Sequence, residues 1–293
     1  MTAPDTPQTQ APALPAMADF PFPTALVVTG APAPDGGVLH ESGDVDEIFP
    51  FASVTKPIVA WSALVAVDRG LLDLDAPAGA PAPDGATIGH LLSHSSGIAA
   101  DSDERLASPG TRRIYSNRGI EILGQWLQEA TGTPLETWVE TTVLEPLGMA
   151  SVLIPGSPAH SGEGSARDLS LFARELASPR LVSPALAERA CAPVLPELDG
   201  VLPGYGRQVP TPSGWGWRCV EPSPRTGPGR ATVRRPSGTS ASPAPSCGWI
   251  RSPSARPSSW EPSPSGRFTG RRGPRWATRS WRCRAGAPAT ATC

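Results

Sequence analysis

Lys56 is the only lysine in this 293-residue chain, all 24 other strong bases being arginine, and it follows a serine by three positions in Phe51-Ala52-Ser53-Val54-Thr55-Lys56. Arginine stays protonated at any workable pH. A lysine amine gives up its proton when it is desolvated or set beside positive charge. On a helix, Ser-x-x-Lys places hydroxyl and amine one turn apart on the same face. That is the arrangement of a serine nucleophile beside an amine that assists proton transfer. An N-capping serine followed by a solvated lysine leaves the same tetrapeptide, so the spacing needs partners elsewhere in the chain.

Such partners follow in order. His90-Leu91-Leu92-Ser93-His94-Ser95-Ser96-Gly97-Ile98 comes next, then Pro109-Gly110-Thr111, then Tyr115-Ser116-Asn117. Gly70-Leu71-Leu72-Asp73-Leu74-Asp75, Glu145-Pro146-Leu147-Gly148-Met149 and a helix entry at Ser165 to Leu169 accompany them. Taken together, from about Pro23 to about Gly206, these segments resemble the serine β-lactamase and penicillin-binding-protein superfamily. The Tyr-Ser-Asn motif is similar to that of its class C β-lactamase and esterase branch.

The resemblance implies an α/β (α+β) fold, an antiparallel sheet flanked by helices, with a helical subdomain carrying Tyr115-Ser116-Asn117. It implies acyl transfer on an amide, ester or lactam carbonyl through an acyl-Ser53 intermediate, with no cofactor. Ser53 is then the nucleophile, and its backbone N–H is half of the oxyanion hole. Lys56 shares protons with Ser53 and Tyr115. Tyr115, beside a cation, approaches phenolate and serves as general base. Asn117 turns its amide toward Lys56 and the substrate carbonyl. The implied partner is a small acyl substrate.

Several elements must hold these groups in place. Ala25 to Val28 reads as a buried strand and Gly37 to Glu41 as its hairpin partner across a Pro-Asp-Gly-Gly turn. Residues 54–69 read as a helix with almost no polar face, the buried centre of the molecule. Pro57 fits only the first turn, which sets the helix start close to Ser53. Asn117 reads as the cap of a helix ending at Gly132. Thr133-Pro134-Leu135-Glu136 reads as a capping box opening a helix with Leu135, Trp138, Val139 and Val143 inward. A further helix spans about Ala166 to Leu176.

His90 and His94 lie four apart, as zinc ligands on one helix face do. No third ligand at suitable spacing follows, so no metal is expected. No Gly-x-Ser-x-Gly elbow is present, which argues against an α/β-hydrolase.

The net charge of −2 conceals a split. Residues 1–213 hold 25 acidic and 11 basic side chains, whereas residues 214–293 hold 2 acidic side chains and 14 arginines. Of those last 80 residues, 34 are Ser, Pro or Gly and none is leucine, too little apolar surface to offset the entropy of ordering. Four of the five cysteines fall there, without zinc-like spacing. Three segments are therefore expected: a disordered Pro/Ala-rich stretch over 1–22, an incomplete hydrolase domain over 23–213, and a disordered basic tail over 214–293. Residues 1 to about 23 have no basic leader and no apolar run of signal length, so the expected location is cytoplasmic, with no membrane association.

The family's third motif, Lys- or His-Thr/Ser-Gly, is missing, since no lysine follows Lys56 and no histidine follows His160. Its loss should impair catalysis, uncover the central helix and strip the N-terminal hairpin of its neighbours. A frameshift near residue 213 accounts for both the tail and the lost motif. In the frame shifted back by one base, Gly238 to Ala241 permits Gly-His-Phe-Gly. Trp249-Ile250 then forces aspartate, and Cys247-Gly248 allows only Trp or Arg. An alternative of another class takes the tail at face value, as an arginine-rich nucleic-acid-binding extension on a catalytically dead domain.

Overall fold

The computed structural model describes residues 20, 22–30, 37–202, 206–210 and 214–215. Nearly all of the expected tail lies outside the described residues, as do positions 1–19. Strand β1 (Leu26–Thr29) pairs antiparallel with β2 (Val38–Ser42), Leu26 opposite Ser42, as the hairpin pattern requires. Strand β3 (Ile48–Pro50) runs directly into the Ser53 turn.

Helix α1 (Thr55–Asp68) follows a 3₁₀ turn at Ala52–Val54. Eleven of its residues are buried, among them Ile58, Val59, Trp61 and Leu64, which explains the absence of a polar stripe. Gly70, at φ +69°, ends it. The expectation that this helix is uncovered is corrected here. It packs against α3, α4 and the π-helical segment introduced below, and Trp61 stacks edge-on against Phe172 with centroids 6.3 Å apart. The Trp61 indole N–H also donates to the buried Glu175 carboxylate at 3.1 Å. That carboxylate accepts from the backbone N–H of Arg180 and Leu181 as well, so its burial is compensated.

Helix α2 (Ile88–Leu92) is capped by Thr87 and leads to the short strand β4 (Arg113–Ile114). Helix α3 (Asn117–Thr131) begins immediately after Tyr115 and Ser116. Its N-cap is Ser116, whose hydroxyl accepts from Gly119 N–H at 2.8 Å, so Asn117 is the first helical residue rather than the cap. The expected capping box at Thr133–Glu136 does not form. Pro134 occupies the N-cap of α4 (Leu135–Val139), and the Gln128 side chain accepts from Leu135 N–H instead. The chain continues as a π-helical segment (Glu140–Leu144) and α5 (Glu145–Leu147), with Leu135, Trp138, Val139 and Val143 all buried.

Strand β5 (Glu163–Ser165) pairs antiparallel with β3, and α6 (Ala166–Ala177) starts from the Ser165 cap. Helix α7 (Pro184–Cys191) precedes β6 (Gly200–Leu202) and β7 (Gly206–Gln208). All pairings between these strands are antiparallel except β4 with β6, which run parallel. Trp215 is buried against α7, its backbone N–H donating to Ala190 and the Arg189 guanidinium lying 5.2 Å from its ring centroid. No helix among the described residues is long and apolar enough to cross a membrane.

Candidate active site

The turn that presents Ser53 is held from two sides. Phe51 N–H donates to Gly162 O at 2.7 Å, extending the β3–β5 ladder by one bond. Thr55 Oγ1 donates to Ala52 O at 2.7 Å and accepts from Gly162 N–H at 2.9 Å. A Cβ at position 162 would meet Thr55 Oγ1 at 2.6 Å, so glycine is required for this close approach. Between these ties Ala52 adopts φ +46°, a left-handed conformation rare for alanine. Such strain is sustained where the surroundings over-determine it, and here it turns the Ser53 side chain outward into solvent.

Lys56, one turn further on, is 1 % exposed. Its Nζ donates to Ser53 Oγ at 3.1 Å, to Asn117 Oδ1 at 2.6 Å and to Ala159 O at 2.9 Å. Three acceptors match the three protons of an ammonium. Burial nevertheless lowers the Lys56 pKa to about 8, against a smaller upward pull from Asp101 and Glu121. This lone lysine therefore gives up its proton at a lower pH than an ordinary lysine amine does.

Tyr115 lies against the same group, its ring centroid 4.6 Å from Lys56 Nζ, and it shares a side-chain hydrogen bond with Ser53. The expected drift toward phenolate is corrected by the balance at this site. Burial pushes the phenol above its ordinary pKa, and the Ser53 hydrogen bond opposes this only in part. Tyr115 is thus a neutral phenol whose oxygen meets the nucleophile.

Asn117 turns its amide oxygen to Lys56, as the resemblance implies, and its Nδ2 donates to Asp101 Oδ1 at 2.6 Å. Ser53, Lys56, Tyr115 and Asn117 thus converge although 61 positions separate Lys56 from Asn117. The Ala159 carbonyl and the Asp101 carboxylate join them without a signal in the sequence. The first is a backbone group, and the second is an acidic residue in a loop with several others.

The two histidines do not form a ligand pair. His90 Nδ1 accepts from Thr87 N–H in the capping box. His94 lies past the end of α2 at φ +56°, buried, with Nδ1 accepting from Ser116 N–H at 3.3 Å and its ring 4.7 Å from that of Tyr115. Burial lowers the His94 pKa to about 3, and the Lys56 and Arg113 cations add to the shift. Among the described residues no group of three or more His, Cys, Asp or Glu is placed to hold a metal ion.

An exposed serine bonded to a buried lysine beside a half-buried tyrosine, at the start of a central helix on this fold, defines a class. The chain belongs to the β-lactamase family, whose model matches residues 34–221. It is 42 % identical in sequence to a β-lactamase from Mycobacterium bovis of known crystal structure, superposing with a TM-score of 0.65 over 69 % of this chain and 73 % of that one. Esterase EstB of Burkholderia gladioli is 37 % identical over 148 residues, covering 36 % of this chain and 38 % of the esterase. Penicillin-binding protein 4 of Amycolatopsis lactamdurans is 32 % identical over 147 residues, covering 39 % of each. The chain thus spans about two-fifths of the length of these two curated relatives.

Proposed function

We propose that this protein is a serine hydrolase that transfers an acyl group from an amide, ester or lactam to Ser53 and then to water. The observation that carries this reading is the three-way hydrogen bonding of Lys56 Nζ to Ser53 Oγ, Asn117 Oδ1 and Ala159 O. When the amine is neutral it keeps two protons, which suit Asn117 Oδ1 and Ala159 O. Its lone pair then faces the Ser53 hydroxyl, the geometry of a general base. Ser53 Oγ bonds to the carbonyl carbon as its proton passes to Lys56. The tetrahedral intermediate collapses, the bond to the leaving group breaks, and the proton returns to that group through Lys56 or the Tyr115 phenol. Water repeats the sequence on the acyl-enzyme. Ser53 N–H is the proposed oxyanion donor.

The names of the relatives, an esterase and a penicillin-binding protein, support an acyl carbonyl as the reacting group. We also propose that turnover is impaired, because the chain carries no Lys- or His-Thr/Ser-Gly motif after Lys56. Loss of one oxyanion donor costs on the order of 10²–10³ in rate. A stoichiometric probe is therefore the right test. A fluorophosphonate or penicillin probe should label the wild-type protein and leave Ser53→Ala unlabelled. Equal labelling of both proteins would overturn the assignment.

A further inference from the structure

Asp101 stands at the edge of the site, held there by backbone bonds on both sides of its loop. Ile98 bridges to Arg105, and Ala99 N–H donates to Glu104 O at 2.8 Å. Ala100 O accepts from both Asn117 N–H and Arg118 N–H, at 2.8 and 3.0 Å, and Ser116 Oγ donates to Ala99 O at 2.7 Å. The loop is thus tied to the first turn of α3 immediately before Asp101. Two residues further on, Asp103 pairs with Arg118 at 2.5 Å. From that fixed position Asp101 Oδ1 accepts from Asn117 Nδ2 at 2.6 Å, while Asn117 Oδ1 accepts from Lys56 Nζ at 2.6 Å.

The chemistry of the two neighbours leaves the amide one orientation. An ammonium has no acceptor and an ionised carboxylate has no donor, so the oxygen must face Lys56 and the nitrogen must face Asp101. An Asn117 flipped by 180° would place N–H against N–H at one end and oxygen against oxygen at the other. We infer that Asp101 is a positioning residue, which locks the Asn117 amide with its oxygen on Lys56 and so completes a Lys56–Asn117–Asp101 chain behind the nucleophile. This rests on the serine-hydrolase reading for its catalytic meaning, but not for its geometry.

Lys56, Asn117 and Asp101 follow the order in which a carboxylate orients the base of a serine–histidine pair, with an amide interposed and the carboxylate at an exposed position. It has an electrostatic consequence. The charged and titratable groups around Lys56 are His94, held neutral, and Tyr115, whose pKa is raised, on one side, with Asp101 and Glu121 on the other. Glu121 is itself within 3.5 Å of Arg118 and accepts from Ser157 Oγ, so part of its charge is taken up. Of the two carboxylates, only Asp101 is joined to Lys56 through a single side chain. It keeps the amine more basic than burial alone would leave it.

The single lysine makes the test direct. Protein grown with lysine labelled at ¹³Cε has one lysine resonance, and its titration reads Lys56 without any need for turnover. In Asp101→Asn the midpoint should fall by about half a pH unit, as expected when a partly screened opposite charge is removed. The pH profile of fluorophosphonate labelling should move to lower pH by the same amount. Asp101→Ala should in addition slow labelling several-fold at every pH, because the amide is freed to flip, and Asp101→Glu should recover most of that loss. An unchanged Lys56 midpoint in a folded Asp101→Asn protein overturns the inference. Absence of labelling in the wild type would count against the hydrolase reading alone, since the resonance still decides the role of Asp101.

Discussion

Lys56 Nζ lies 4.6 Å from the centroid of the Tyr115 ring, so the only lysine of the chain meets the π face of the tyrosine that bonds its serine. An ammonium over an aromatic face is stabilised electrostatically, by about 2 kcal/mol when desolvated. That attraction and three acceptors favour the cation, while burial disfavours it. The outcome is an amine near the midpoint of its titration at about pH 8.

Charge alone does not suffice in such a site. Lys56→Arg should lose as much labelling rate as Lys56→Ala, because guanidinium cannot release its proton to become a base. Retention of more than about a tenth of the wild-type rate by the arginine variant would show that only the positive charge matters. In the wild type the rate should rise with pH as the neutral amine appears around pH 8.

Acid should destabilise the fold through His94. Its pKa is about 3 in the native state against 6.5 for an ordinary imidazole. Between those values the unfolded chain binds the proton and the native state does not, so stability falls as pH drops from about 6.5 toward 3. His90, lowered by its own burial, adds in the same direction. His94→Asn can still accept from Ser116 N–H but does not titrate. Its denaturant midpoint should decline less than that of the wild type between pH 7 and pH 4; parallel declines would remove His94 as the source.

The arginine-rich segment invites a test at the level of the gene. We propose that the frame slips near codon 213, and that the following bases, read one position earlier, spell Gly-His-Phe-Gly from Gly238 to Ala241 and the strand after it. Sequencing codons 205–251 in full-length message decides the matter. A one-base repair should yield a protein that turns over ester or lactam substrate, whereas codons that spell no such motif in the shifted frame mean that the tail is genuine.

What the sequence determined by itself was local. Apolar positions on every face of residues 58–67 dictated a buried helix, and Pro57 tied its start to Ser53, because a proline is tolerated only where backbone donors lack partners. The spacing of Ser53 and Lys56 dictated their contact, since residues one turn apart share a face. Ser116 and Asn117 marked the start of α3, but which of them capped it depended on where Asn117 pointed, and tertiary contact with Lys56 and Asp101 settled that. Only the folded chain could bring in Asp101, Ala159 and Gly162, which act through loop position, a carbonyl and a missing side chain. The tyrosine's protonation was likewise beyond the sequence, because burial and the hydrogen bond with Ser53 pull the phenol in opposite directions. The depth of burial, fixed by packing between distant segments, decides which prevails.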